Sequence, residues 1–145
     1  MILPDINVLI HAYNQDSPRH AAARIWWERT LRSPRPVGLA WVVILGFIRL
    51  MTSRTVMENP MRPVEAIRRV RGWLTRPRVE ILSPGEGHAE ILFGLLEETG
   101  VAGSLTTDAH LAALAIEYQA ELASTDADFA RFRGLRWFNP LMSNQ

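Results

Sequence analysis

Short, mostly apolar runs alternate along this chain with longer stretches whose apolar positions recur every three or four residues. Residues 2–4, Val37 to Ala40, Val79 to Leu82, Glu121 to Ser124 and Leu135 to Phe138 have the length and apolar content of buried strands. Between them, Asn7 to Tyr13, a stretch from Ser17-Pro18 to about Leu31, Trp41 to Thr52, Val64 to Leu74, Gly85 to Thr99 and Thr107 to Gln119 carry helical spacing. Ser17-Pro18 predicts a helix start, with the serine as N-cap and the proline at the first helical position. A short helix is expected from Asp126 to Phe132. Pro34 with Pro36, Asn59-Pro60, Arg62-Pro63, Gly100 and Gly103 punctuate the intervening loops. Strands alternating with helices predict an α/β fold with a mostly parallel sheet.

At 145 residues the chain is expected to form one domain, 1–145, with a substantial core. Its longest apolar stretch, Val37 to Met51, is interrupted by Gly38, Gly46 and Arg49, which fits a buried strand and helix better than a membrane span. No signal peptide is expected, because Asp5 falls within the segment that would form its apolar region. With no cysteine there is neither a disulfide framework nor a thiolate site, and a cytoplasmic protein is the expectation. The net charge of +1 argues against wholesale attraction to nucleic acid. All 16 basic residues are arginine, so lysine-base, Schiff-base and P-loop chemistry are excluded.

Against that background three acidic segments stand out: Asp5-Ile6-Asn7, Thr107-Asp108-Ala109-His110 and Ser124-Thr125-Asp126-Ala127-Asp128. Each acid follows an apolar run and precedes helical spacing. Strand ends feeding helix starts gather at one edge of an α/β sheet, so Asp5, Asp108 and Asp126 are expected to converge there. Such a group suits a hard cation such as Mg²⁺, with Mn²⁺ as the alternative. Taken singly, Asp5 reads slightly better as a helix cap and Asp108 as a first-turn carboxylate, and Asp126 also fits a cap. Asn7 and Asp128 are secondary candidates, and Thr107 and Thr125 could bond a carboxylate, a water or a phosphate. His110 reads as structural on so alanine-rich a helix. Arg68 to Arg78 is locally basic and contains Trp73, which allows RNA contact, although a solvated helix face is the commoner outcome.

Four segments together resemble the PIN domain, specifically the VapC ribonuclease toxins of bacterial VapBC pairs. They are Leu3 to Leu9, Trp41 to Leu50, Ser104 to Ala115 and Ser124 to Phe129. The resemblance implies a three-layer α/β/α sandwich with a central parallel sheet. It also implies Mg²⁺-dependent RNA hydrolysis that leaves 3′-hydroxyl and 5′-phosphate ends, a homodimer, and a cognate VapB-like antitoxin. Asp5, Asp108 and Asp126 fall on the family's acidic positions. The family's further glutamate, on the helix after the second strand, aligns with Ile44, and no acid occurs between Glu28 and Glu58. A PIN fold that binds RNA or protein without cleaving is the rival expectation. A receiver-type phosphoacceptor domain would also place acids at strand ends, but the absence of lysine weighs against it. Dimer contacts are expected near Trp26, Trp27 and Ile67 to Leu74.

Overall fold

The computed structural model describes residues 1–142, which contain five strands and six α-helices. Strands β1 (Ile2–Pro4), β2 (Val37–Ala40), β3 (Val79–Leu82), β4 (Glu121–Ala123) and β5 (Arg136–Phe138) form one sheet in the order β3-β2-β1-β4-β5. Every pairing is parallel. The helices are α1 (Ile6–Tyr13), α2 (His20–Arg32), α3 (Trp41–Met51), α4 (Pro63–Leu74), α5 (His88–Thr99) and α6 (Thr106–Glu117).

Right-handed crossovers decide the layering. The steps from β1 to β2 to β3 run one way along the sheet and place α1–α4 on one face. The return from β3 to β4 carries α5 and α6 across the other. Packing agrees: α1 lies against α2 and α3, α3 against α4, and α5 against α6. This is the expected three-layer α/β/α sandwich. Strands covered on both faces read as continuous apolar runs, and Leu3, Val37, Leu39, Ala40 and Leu122 are accordingly buried.

Beneath α1–α4 lies an aromatic cluster of Tyr13, Trp27, Phe47 and Trp73. Phe47 and Trp73 meet edge-to-face at 4.8 Å, and the Trp73 Nε1–H donates to the Tyr13 hydroxyl at 2.8 Å. Trp27 is 1% exposed and Trp73 3%. Trp26 packs partly buried against Phe138. Of the expected dimer surface near Trp26, Trp27 and Ile67 to Leu74, Trp27, Val70 and Trp73 are therefore interior, whereas Ile67 is exposed. The apolar side chains left outside include Trp41 and Leu45 on α3 and Val64 and Ile67 on α4.

Two predicted boundaries differ for local reasons. Helix α2 begins at His20 with no side-chain cap. The Ser17 hydroxyl instead accepts from Arg19 N–H at 3.1 Å and bonds His11 Nδ1 at 2.7 Å, closing a turn ahead of the helix. The helix expected after Asp126 is a 3₁₀ segment, Ala127–Arg131.

Candidate active site

In the order β3-β2-β1-β4-β5, the chain leaves β1 toward one side of the sheet, and the connection through α5 and α6 returns it to β4 on the other. Connections diverging from neighbouring parallel strands open a crevice at their carboxyl ends, the usual ligand position in such sheets. Asp5 directly follows β1, and Ser124 and Asp126 follow β4. Helix α6 runs back across the sheet into β4, so its first turn, with Asp108, returns to the same edge. Three acids more than a hundred residues apart at their extremes are thus gathered by connectivity alone.

The register places Pro4 opposite Ala123, and Asp5 N–H extends that ladder to Ala123 O at 2.9 Å. The next position on each strand therefore sets Asp5 beside Ser124. Ser124 is fully buried, and its Oγ lies 2.8 Å from Asp5 Oδ2. Asp5 Oδ1 accepts from Ile6 N–H at 2.7 Å, so the residue also caps α1. Capping and membership of the acidic group, alternatives in the sequence, are combined in one carboxylate. Asn7 Nδ2 reaches Ser124 Oγ at 3.3 Å, and Asn7 Oδ1 accepts from Thr125 N–H at 3.3 Å. Asp126 N–H donates to Ser124 Oγ at 3.0 Å, while Asp126 Oδ1 accepts from Asp128 N–H at 2.9 Å.

The acids share one electrostatic field. Burial raises the Asp5 carboxyl above its ordinary range; hydrogen bonds from Ser124 and Ile6 pull it back down, and Asp126 pushes it up. Asp108, partly exposed, is pushed up to about 6, first by burial and then by Asp5, Asp126 and Asp128. Neighbouring acids thus add to burial in making Asp5 and Asp108 harder to ionise, a repulsion that a cation relieves. Among the described residues no three acidic or histidine side chains are yet arranged as a closed ligand set. The donor chemistry nevertheless fits Mg²⁺, which takes one or two carboxylates and keeps several waters.

Position 44 departs from expectation. Ile44 is 2% exposed and belongs to the apolar core. On α3 it is the flank holding Gly46 that faces α1, since a Cβ at Gly46 would lie 2.5 Å from Ile6 Cδ1. Two residues along a helix turn by about 200°, so Ile44 points away from Ile6 and its neighbour Asp5. Val42, one turn before Gly46, shares the flank that looks toward α1. Neither residue is acidic, and the shortage of carboxylate charge on α3 stands.

Several other candidates lie apart from the acids. His110 bonds His88 at 2.9 Å, and His88 bonds Glu117 at 2.5 Å, a buried polar chain joining α5 to α6. Burial, then the neighbouring His88, lowers the His110 pKa, while Glu117 raises it. Thr107 is exposed, and Thr125 takes part through its backbone. Arg68, Arg69 and Arg71 are exposed on α4, with the Arg69 guanidinium 5.6 Å above the Tyr13 ring. A cavity of about 420 Å³ near Tyr13, Trp27 and Arg69 contains none of the three acids. The residue that sequence reasoning passed over is Ser124; its signal was its place directly after β4, opposite the residue that follows β1.

A family model described as PIN domain matches residues 2–135. Ribonuclease VapC33 of Mycobacterium tuberculosis is 45% identical over 141 residues, spanning 97% of this chain and 99% of the relative. Ribonuclease VapC37 of the same organism is 40% identical over 140 residues, 97% of each. Among solved structures, VapBC2 from Rickettsia felis bound to a promoter DNA fragment aligns with TM-score 0.69 at 18% identity, covering 96% of this chain and 98% of the other. The M. tuberculosis VapC20, a sarcin-ricin loop cleaving toxin, aligns with TM-score 0.68 at 19% identity over 94% and 99%. With its sheet order, its gathered aspartates and relatives matched over nearly their whole length, this chain belongs to the PIN-domain family, among the VapC ribonucleases.

Proposed function

We propose that this protein is a divalent-cation-dependent endoribonuclease toxin, a single PIN-like unit working in the cytoplasm and restrained by a VapB-like antitoxin. The observation that carries the reading is the convergence of Asp5, Asp108 and Asp126 on one crevice, where burial, and then repulsion from the neighbouring acids, raises Asp108 to about 6. The near-full-length relatives named ribonucleases support the RNA substrate. Solved neighbours described as VapBC assemblies support the antitoxin. No helix among the described residues is long and apolar enough to cross a membrane.

Asp5, Asp108 and Asp126 would hold the ion, Mg²⁺ or Mn²⁺. When bound, such an ion acidifies water and offsets charge on a phosphodiester in hydrolysis. Asp5 supplies a carboxylate oriented by Ile6 N–H and Ser124, so little reorganisation is needed there. Asp126 is held at the mouth of the same crevice by its own cap bond. Asp108, partly exposed in the first turn of α6, supplies a third carboxylate, one pushed up to about 6. No serine or histidine nucleophile is required, and the expected products carry 3′-hydroxyl and 5′-phosphate ends.

One observation favours a second reading, a PIN fold that binds RNA or protein without cleaving it. Helix α3 brings no carboxylate to the site, since none occurs between Glu28 and Glu58. Incubating purified protein with RNA under Mg²⁺, Mn²⁺ or EDTA separates the two. Metal-dependent cleavage that Asp5→Asn abolishes is the expected result. RNA binding without cleavage under either ion establishes the second reading.

A further inference from the structure

We propose that Arg131 anchors the RNA strand at the acidic crevice, exchanging a loose pairing with Asp128 for a phosphate of the substrate. This rests on the ribonuclease reading above and names a residue that holds the polymer rather than the ion. Asp5, Asp108, Asp126 and Asp128 bring their carboxylates to one edge of the sheet, and Asp5, Asp126 and Asp128 all act on Asp108. A divalent ion offsets only part of that negative charge. What remains repels a polyanion, so binding of RNA calls for a positive charge fixed beside the ion.

The fold sorts its arginines by where their partners lie. Arg35 pairs with Glu121 at 2.8 Å, Arg136 donates to Gln119 O and Arg78 to Pro34 O, all near the amino ends of the strands. Arg131 instead closes the 3₁₀ segment that leaves the carboxyl end of β4, and its Nε lies 3.6 Å from Asp128 Oδ1. Asp126 Oδ1 accepts from Asp128 N–H in the same turn, which sets the guanidinium at the rim of the crevice.

Its backbone is held in place. Phe129 and Phe132, on either side, are buried with rings 6.0 Å apart, and Phe132 N–H donates to Phe129 O at 3.2 Å. The side chain is not held. A separation of 3.6 Å is longer than a hydrogen bond and both partners are half-exposed, so the pair is weak and readily exchanged. A guanidinium offers five donors in a planar fork that matches phosphate oxygens two at a time. Taking a phosphate in place of Asp128 leaves the arginine paired, and the exposed aspartate returns to water.

The test compares wild type with Arg131→Gln, Arg131→Lys and Arg35→Gln in steady-state cleavage of a single-stranded RNA under Mg²⁺, in RNA binding across a salt series, and in thermal melting. Binding is read in an Asp5→Asn background, so that the RNA stays intact. Arg131→Gln should raise KM about tenfold, the scale of one lost charge-assisted contact. Its kcat should stay within about twofold, because a contact held equally before and during the reaction shows in KM alone. The log–log salt slope should fall by roughly 0.7, one phosphate contact on a single strand. Arg131→Lys, with the charge but not the fork, should keep the slope and still raise KM by about threefold. Arg35→Gln, the same charge lost at the opposite edge, should change neither.

Wild-type KM and salt slope in a folded Arg131→Gln overturn the proposal, as does a fall in kcat at unchanged KM, or an equal effect in Arg35→Gln. Should Arg131→Gln fail to fold, Arg131→Lys carries the test, and a wild-type KM there overturns the proposal. Wild-type protein that neither binds nor cleaves RNA overturns the ribonuclease reading together with this proposal, whereas wild-type cleavage with an unaffected Arg131→Gln overturns this proposal alone.

Discussion

Asp108 concentrates the conflict between folding and function. Its carboxyl ionises at about 6 in the folded chain against an ordinary value of 3.8, because burial and then three neighbouring acids oppose the charge. The folded state therefore holds a proton more tightly than the unfolded one. Without metal, stability from this group is fully present below about pH 4 and is lost as pH rises through about 6. A bound divalent cation favours the ionised form and reverses that loss. Asp108→Asn removes the penalty. In EDTA at pH 7 the variant should be more stable than wild type by on the order of 1 kcal/mol, a figure reduced for solvent screening of a partly exposed group. At pH 4.5 the difference should shrink. Cleavage of RNA should be abolished. Urea melts at both pH values check the first claim, and full activity of the variant under Mg²⁺ would remove Asp108 from the site.

At the scale of the element, α3 shows how a helix face overrides a position in an alignment. Its apolar content marks it as buried but not which flank meets α1; that follows from the contact between Gly46 and Ile6. Placing a carboxylate at Ile44, which is 2% exposed, puts an unpaired charge in the core. Ile44→Glu should cost several kcal/mol, on the order of 3 or more, or titrate as a neutral acid, without improving metal binding. Val42→Glu, on the flank toward α1, should stay folded and tighten Mg²⁺ binding by adding the charge α3 lacks. Chemical denaturation and calorimetry on the pair decide it: a stable Ile44→Glu with improved affinity would reverse this placement. Helix α2 makes a similar point, since Ser17-Pro18 carries every local mark of a helix start, yet the serine hydroxyl is taken by His11 and Arg19 N–H.

Across the whole molecule, the crevice aspartates lie apart from the arginines of α4. The acids lie at the β1/β4 crevice, while Arg68, Arg69 and Arg71 lie on α4, which leads into the edge strand β3 two positions from β1. Changing all three to Gln should leave the salt dependence of RNA binding unchanged and cost less than about 0.5 kcal/mol each. A fall in the log–log salt slope of roughly 0.7 per arginine would instead put α4 on the path of single-stranded RNA. Self-association belongs to this scale as well. With Trp27 and Trp73 inside, Trp41 and Leu45, 53% and 61% exposed one turn apart on α3, become the apolar surface expected to pair two copies. Light scattering should find a dimer that Leu45→Asp converts to monomer; a wild-type monomer at high concentration would reject this.

The alternation of apolar runs with helical spacing was enough to determine an α/β sandwich, because strands covered on both faces must be continuously apolar and covering helices must be amphipathic. The three aspartates were legible for a related reason: each stands where a strand-like run ends or a helix begins, and parallel sheets bring such junctions to one edge. Spacing carried no information about partners across the sheet. That Ser124 stands beside Asp5 depends on the register of β1 against β4, and that Ile44 turns away depends on how α3 packs on α1. Those choices are made by contacts between residues distant in the chain, so the gathering of the three acids at one edge was written in the sequence, whereas the way their carboxylates are held was decided by tertiary packing.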